Sequence, residues 1–439
     1  MSASARPTLR CDNAGTVHDA GRAGGAIPRE CDDCGLLLSM PREAVGIDSR
    51  CPRCNAALRQ HHASPLDAPF ALAIASLMLC VITLTMPFLT LRLLGQVRGS
   101  RVESGAAAFV EDGLWLLAVI VVVTLVLVPL ARLLLRLTVL GGLRLRRPPP
   151  WLGLPLRWHE HLGAWGMLEV FLFGALVSYT RLVDLAEVEL GPAVYGLGAV
   201  VLALVAADAA FEPQAAWDAL EARGIAARTP PYPARGGRML SCHCCRKVTR
   251  VAEGTACPRC GTALHHRKRN SVSRSWALVT AAAVLYVPAN YYPVMTIVTL
   301  GQGGPHTIMG GVVEFIHSGF WPLAVIVFLA SVAVPMLKLV GLSVMLLSVQ
   351  RRSRLHLYRK TQLYRVVEAL GRWSMIDVFV VSVLIALVRF GAVASIHAEL
   401  GAACFGAVVI LTMVAAETFD PRLMWDAAGA NDRKESDRP

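Results

Sequence analysis

Long uninterrupted apolar runs punctuate this chain, and they come in the same order in its two halves. A helix that crosses a bilayer needs about 20 mainly apolar residues. The first half offers four such stretches, at 68–91, 113–131, 161–180 and 190–207, and the second half four more, at 275 to about 298, 315–337, 373–388 and 400–416. The runs are long and do not alternate as barrel strands do, and in hydrocarbon only helices or closed barrels satisfy the backbone. The pattern therefore predicts eight membrane-spanning helices.

Matched residues tie the halves together. Cys51, Cys54, Pro87, Thr90, Gly95, Gln96, Gly113, Trp115 and Pro129 return 206 positions later as Cys257, Cys260, Pro293, Thr296, Gly301, Gln302, Gly319, Trp321 and Pro335. With an offset of 208, Trp165, Met167, Phe171, Arg181, Phe211, Pro213, Trp217 and Asp218 return as Trp373, Met375, Phe379, Arg389, Phe419, Pro421, Trp425 and Asp426. A period this long with so few gaps predicts a tandem domain duplication rather than a solenoid. The expected fold class is an all-α polytopic membrane protein, with a four-cysteine zinc ribbon preceding each four-helix bundle. Its expected parts are a leader at 1–29, ribbons at 30–62 and 241–266, bundles at 66–211 and 274–418, a linker at 212–240 and a tail at 427–439.

Composition agrees with a membrane assignment, since 55% of residues are hydrophobic and 17% charged. The net charge of +12 could suggest a nucleic-acid partner, but the basic residues sit beside the apolar runs. Arg132, Arg136, Arg144, Arg146, Arg147 and Arg157 lie between the second and third spans; Lys338, Arg351, Arg352, Arg354, Arg359, Lys360, Arg365 and Arg372 lie in the matching segment. Such segments stay in the cytoplasm. Both termini, the linker and the cysteine motifs then also face the cytoplasm, and an even number of spans gives both halves one orientation.

Eight of the twelve cysteines form two quartets. Cys31, Cys34, Cys51 and Cys54 give C-x2-C twice, as do Cys242, Cys245, Cys257 and Cys260 after a shorter spacer. Each pair can present two thiolates to one tetrahedral ion, so two structural Zn2+ are expected, one per quartet. Iron suits the same ligands. Disulfides do not suit a reducing compartment. Pro52 and Pro258 stiffen the second knuckle of each quartet, and Gly35 and Gly261 ease the turn after a knuckle.

Ionisable groups inside spans are costly and raise a functional question. Glu169 and Asp377 occupy one repeat position, and Arg132 and Lys338 another, so two ion pairs are expected: Arg132 with Glu169 and Lys338 with Asp377. Hydroxyls gather only around the second pair, as Ser331, Ser374 and Thr412; their counterparts are Leu125, Gly166 and Leu204. The first pair reads as structural, the second as a working cluster that could carry a proton or respond to a lipid head group. His159 and His161 lack a third ligand at suitable spacing and read as surface residues. Pro87, Pro129, Pro293 and Pro335 read as helix kinks, with broken, moving helices as the alternative. The chain has no G-x-x-x-x-G-K-[ST], no H-E-x-x-H and no G-x-S-x-G, so nucleotide hydrolysis and the commonest hydrolase chemistries lack their residues, and no enzyme is expected.

From Cys31 to Asp426 the chain resembles the paraquat-inducible protein A family. The resemblance rests on the two cysteine quartets, each followed by four spans, on Leu-Gly-Arg-Trp-Ser-Met-Ile-Asp-Val-Phe at 370–379, and on Thr-Phe-Asp-Pro-Arg-Leu-Met-Trp-Asp at 418–426 with its weaker copy at 211–218. It implies a bacterial inner-membrane partner of periplasmic MCE-domain proteins that carry phospholipid between two membranes. The expected function is a lipid transporter subunit with Lys338, Asp377, Ser331, Ser374 and Thr412 as its polar cluster. The alternatives are a membrane anchor that transports nothing, and a redox protein with iron in its cysteine sites.

Overall fold

The computed structural model describes residues 26–41, 49–59, 66–93, 96–183, 187–225, 238–299, 302–317, 319–390 and 394–431. Most of the expected leader, residues 226–237 of the linker and the tail from 432 lie outside the described residues. Eight helices are long and apolar enough to cross a membrane, numbered here spans 1 to 8: Asp67–Thr85, Trp115–Gly142, Pro150–Thr180, Pro192–Ala210, Ser271–Tyr291, Ala324–Gln350, Leu357–Leu387 and Leu400–Thr418. The protein is thus a multi-pass membrane protein.

Several boundaries differ from expectation. Spans 2 and 6 continue past the apolar runs to Gly142 and Gln350, and spans 3 and 7 begin early, at Pro150 and Leu357. Helical hydrogen bonding does not stop where the apolar run stops, so their basic ends project as helix. Span 1 instead ends before its run does. A residue preceding proline is pushed out of the helical region; Met86, before Pro87, has φ −90° and ψ 154°, and Tyr292, before Pro293, has φ −79° and ψ 149°.

The chain then turns to β structure, which corrects the all-α expectation. Leu89–Leu93 forms the centre of a three-stranded antiparallel sheet with Gln96–Ser100 and Glu187–Leu190, and Met295–Thr299 does the same with Gln302–His306 and Ala394–Ala398. Leu91 faces Arg98 and Val188 in register; Ile297 faces Gly304 and Ile396. The sheets close the end of each bundle opposite the cysteine units.

Spans 2 and 6 each contain a π-helical turn, at Val123–Leu127 and Leu329–Ala333, just before Pro129 and Pro335. A proline ring inside a helix clashes with the carbonyl four residues back, here Leu125 and Ser331, and a widened turn carries that carbonyl aside. The halves meet along spans 3 and 7, where Phe171 and Phe379 pack edge-on at 5.7 Å. Small residues let the backbones approach: a Cβ on Gly174 would lie 3.1 Å from that of Phe379, and one on Gly105 would collide with Ser382. Every residue from Val378 to Leu387 is buried.

The cysteine units dock crosswise. The first shares a core with Leu342, Met345, Phe419 and Trp425 of the second half, while the second packs on Val139, Leu140, Leu152 and Trp217 of the first half. Arg53 stacks over Trp425 and donates to Asn431 (2.7 Å), and Arg365 of span 7 donates to Asp33 (2.7 Å) and to the Cys54 carbonyl (2.9 Å). Lys247 pairs with Glu221 at 2.6 Å, and Arg259 with Asp218. Asp32 and Arg246 join the two units to each other at 3.3 Å. A buried ionic joint completes the arrangement: Arg267 links Glu30 (2.9 Å) to Asp426 (2.5 Å), and Arg422 links Glu30 (3.2 Å) to Asp420 (2.9 Å). Residues 26–29, expected as leader, form with Glu30 a strand paired with Leu37–Pro41. Residues 427–431 are likewise no solvated tail, because Asn431 donates to the Cys34 carbonyl at 3.2 Å.

Candidate metal centres and intramembrane polar sites

Each cysteine pair is held by the same local device. The amide four residues after the first cysteine donates back to its carbonyl: Gly35 to Cys31 (2.9 Å), Asn55 to Cys51 (2.8 Å), Arg246 to Cys242 (2.9 Å) and Gly261 to Cys257 (2.8 Å). All four of these residues have positive φ, from 53° to 76°, in the left-handed region that glycine adopts without strain. The turn leaves both thiols of a pair pointing to one side. Cys31 and Cys54 then stand 3.5 Å apart, Cys34 and Cys51 3.6 Å, Cys242 and Cys260 3.4 Å, and Cys245 and Cys257 3.6 Å.

A disulfide would require about 2.05 Å. Four sulfurs placed about 2.3 Å from one ion form a tetrahedron with edges of about 3.8 Å. The sulfurs of each quartet lie within 4.8 Å of one another, so both clusters can hold a metal ion. Every thiolate position is filled, which leaves no open site for a reacting ligand.

In the second half, Lys338 is completely buried. Its ammonium donates to the Thr412 hydroxyl at 3.1 Å and to the Gly371 carbonyl at 3.2 Å. Ser331 donates back to Val327 at 2.7 Å within the π turn, and Thr412 to Val409 at 2.9 Å. The π turn packs against the 3-10 turn Arg372–Met375 that holds Ser374, and against the helix Ile376–Leu387 that carries Asp377 in its first turn. The Ser374 hydroxyl is fully buried and finds no acceptor or donor among the described residues.

Lys338 reaches across to span 8 and to the Gly371 carbonyl within span 7. The first-half ion pair forms differently from expectation. Arg132 pairs with Asp208 of span 4 at 3.3 Å rather than with Glu169. Glu169 receives Arg372 of the other half at 3.2 Å, because spans 3 and 7 are neighbours at the seam.

The first half is also not bare. Arg136, nearly buried, is the centre of a charged network: it pairs with Asp208 and donates to His159 Nε2 from both Nε (3.3 Å) and Nη2 (3.1 Å). Guanidinium only donates, so His159 Nε2 is the acceptor and the ring proton lies on Nδ1. His159 is 5% exposed, which overturns its reading as a surface residue. Sequence reasoning missed Arg136, His159 and Asp208 as a set. The signal was available: the equivalent positions in the second half are Leu342, Val367 and Ala416, all buried in an apolar core.

Residues 66–221 and 272–429 match the family described as Paraquat-inducible protein A. The chain belongs to that family. The paraquat-inducible protein A relatives include the Intermembrane transport protein PqiA of Escherichia coli, 34% identical over 417 residues, which cover 92% of this chain and 97% of the relative. The Lipophilic envelope-spanning tunnel protein A of the same species is 29% identical over 412 residues, 92% of this chain and 93% of its own. A Probable intermembrane transport protein of Haemophilus influenzae is 25% identical over 406 residues, 90% of this chain and 95% of its own. No solved structure matches this one. Membership extends over both halves and takes in the spans and the motifs at 370–379 and 418–426.

Proposed function

We propose that this protein is a membrane component of phospholipid transport, a transport subunit rather than an enzyme, and that Lys338, Asp377, Ser331, Ser374 and Thr412 form its working cluster. One observation carries the reading: a lysine with no exposure sits inside a membrane-spanning helix, satisfied by a hydroxyl and a backbone carbonyl. Such a group is expensive in hydrocarbon, and structural need alone is met more cheaply by the leucines found elsewhere in these spans. The names of the relatives, intermembrane transport and envelope-spanning tunnel, supply the class of function.

In this reading the two halves are a tandem duplication, each with a zinc ribbon, and the cysteine units lie in the cytoplasm beneath a bacterial inner membrane. The β-sheets then face the periplasm and offer a docking face to an MCE-domain tunnel. A closed four-thiolate site of this kind suits zinc as a structural ion. No phosphate-binding loop is present, so a driving force would come from an ion gradient, another subunit or the lipid gradient.

The test replaces Asp377 with Asn and Lys338 with Gln, each checked for intact assembly by size-exclusion chromatography. Lipid transfer between donor and acceptor membranes should fall at least tenfold in both. Unchanged transfer in an intact assembly would remove the cluster from the mechanism.

A further inference from the structure

The charged cavity of the first half has no role in the cluster just described. It is about 250 Å³ and is lined by Arg132, Arg136 and Arg372 with Glu169 and Asp208, a formal charge of +1. Pairing uses only part of the donor capacity: Arg132 Nε and Arg136 Nη1 are buried and have no partner among the described residues. Buried donors without acceptors are rare in native proteins and call for an explanation. Packing does not provide one, since the positions of Arg136, His159 and Asp208 are Leu342, Val367 and Ala416 in the other half.

Depth points to the ligand. Arg132 and Arg136 lie one and five residues beyond the apolar run 113–131, Asp208 one beyond 190–207, and Arg372 one before 373–388. The cavity therefore sits where hydrocarbon gives way to head groups, on the side of the bundle that carries the cysteine units. Leu204 and the exposed Val205 form its apolar wall.

We propose that this cavity binds a singly charged phosphate group, presented as the phosphodiester of a phospholipid head group. A monoanion neutralises the residual charge, and its oxygens accept from the two idle guanidinium donors in the forked geometry that arginine matches to phosphate. The lipid source rests on the transport reading above; the phosphate chemistry does not.

The test titrates full-length protein in detergent with phosphatidylglycerol, with diacylglycerol and with inorganic phosphate, and counts bound molecules by native mass spectrometry. Wild type should bind one phosphatidylglycerol in preference to diacylglycerol, and Arg136→Gln should weaken that binding about tenfold, the worth of one charge-assisted hydrogen bond. Asp208→Asn frees both arginines and should tighten binding several-fold, a change of sign that a folding defect cannot imitate. Inorganic phosphate binding that is lost in Arg136→Gln, without phosphatidylglycerol binding, would keep the phosphate site and reject the lipid as its source. Equal binding of phosphatidylglycerol and of phosphate by wild type and both variants would overturn the proposal. Asp377→Asn separates the two ideas: its transport readout decides the working cluster, while its lipid binding at this cavity should match wild type.

Discussion

Replacing Asp420 tests the ionic joint beneath the bundles. The carboxylate is 1% exposed and accepts four hydrogen bonds: from Arg422 N (3.2 Å) and Nε (2.9 Å) on one oxygen, and from Arg422 Nη2 (2.9 Å) and Lys268 N (3.1 Å) on the other. Pro421, at φ −64°, holds the two partners in this arrangement. Asp420→Ala leaves Arg422, 5% exposed, with Glu30 as its one remaining carboxylate among the described residues. Breaking a buried pair by removing one partner costs about 3 kcal/mol or more. The midpoint of thermal unfolding in detergent should fall by roughly 6 to 12 °C, taking a cooperative unit of roughly 200 residues.

Acid provides an independent check on the same group. Burial works to raise the Asp420 pKa, but the hydrogen bonds and charge of Arg422 overcome it and hold the carboxyl down, at about 2 against an ordinary 3.8. A depressed carboxyl contributes stability that is present above the ordinary value and lost as pH falls through the native one, here about 2 kcal/mol. Acid also strips metal from thiolates, but equally in both proteins. The stability difference between wild type and Asp420→Asn should therefore narrow as pH falls from about 4 to about 2. An Asp420→Ala midpoint within 1 °C of wild type, or a difference independent of pH, would refute the joint.

Wild type should carry two equivalents of zinc by elemental analysis, and Cys51→Ser and Cys257→Ser one each. Because the units dock crosswise, Cys51→Ser should raise hydrogen exchange at 419–431 and Cys257→Ser at 213–222, not the reverse. At the seam, Gly105→Val places a Cβ 1.9 Å from Ser382 Oγ and 2.7 Å from its carbonyl oxygen, and should lower stability by about 1–3 kcal/mol. Gly198→Ala in span 4, with nothing within 4 Å, should leave the unfolding midpoint unchanged or raise it.

The spans were legible because about 20 apolar residues in a row admit few other structures. The quartets were legible because metal-ligand spacing is local. The strands at 89–93 and 295–299 were not, since each continues an apolar run without a break in hydropathy; the prolines at 87 and 293 mark where the helices stop rather than where they kink. The ion pairs were harder still. Matching depth narrows the choice of partner without fixing which neighbour a long side chain reaches, and Arg132 and Arg372 each chose a group on a helix the sequence did not place beside them. Comparison of equivalent positions exposes both the hydroxyls of one half and the charges of the other.

Crosswise docking solves a problem that the membrane poses. Lipid tails are as apolar as the leucines and valines of the spans, so burying them against each other inside the bilayer yields little net association, and the seam at Phe171 and Phe379 relies on close packing of small residues. Outside the bilayer, water restores the hydrophobic effect. There the first cysteine unit is buried against Phe419 and Trp425, the second against Trp217, and the two meet through Asp32 and Arg246. A path of contacts thus runs from the first bundle through the second unit and the first unit to the second bundle, buried where each unit meets a bundle and exposed at the Asp32–Arg246 pair between the units. Had each unit capped the bundle that follows it in the chain, that burial would have stabilised each half by itself; exchanged, it holds the halves together.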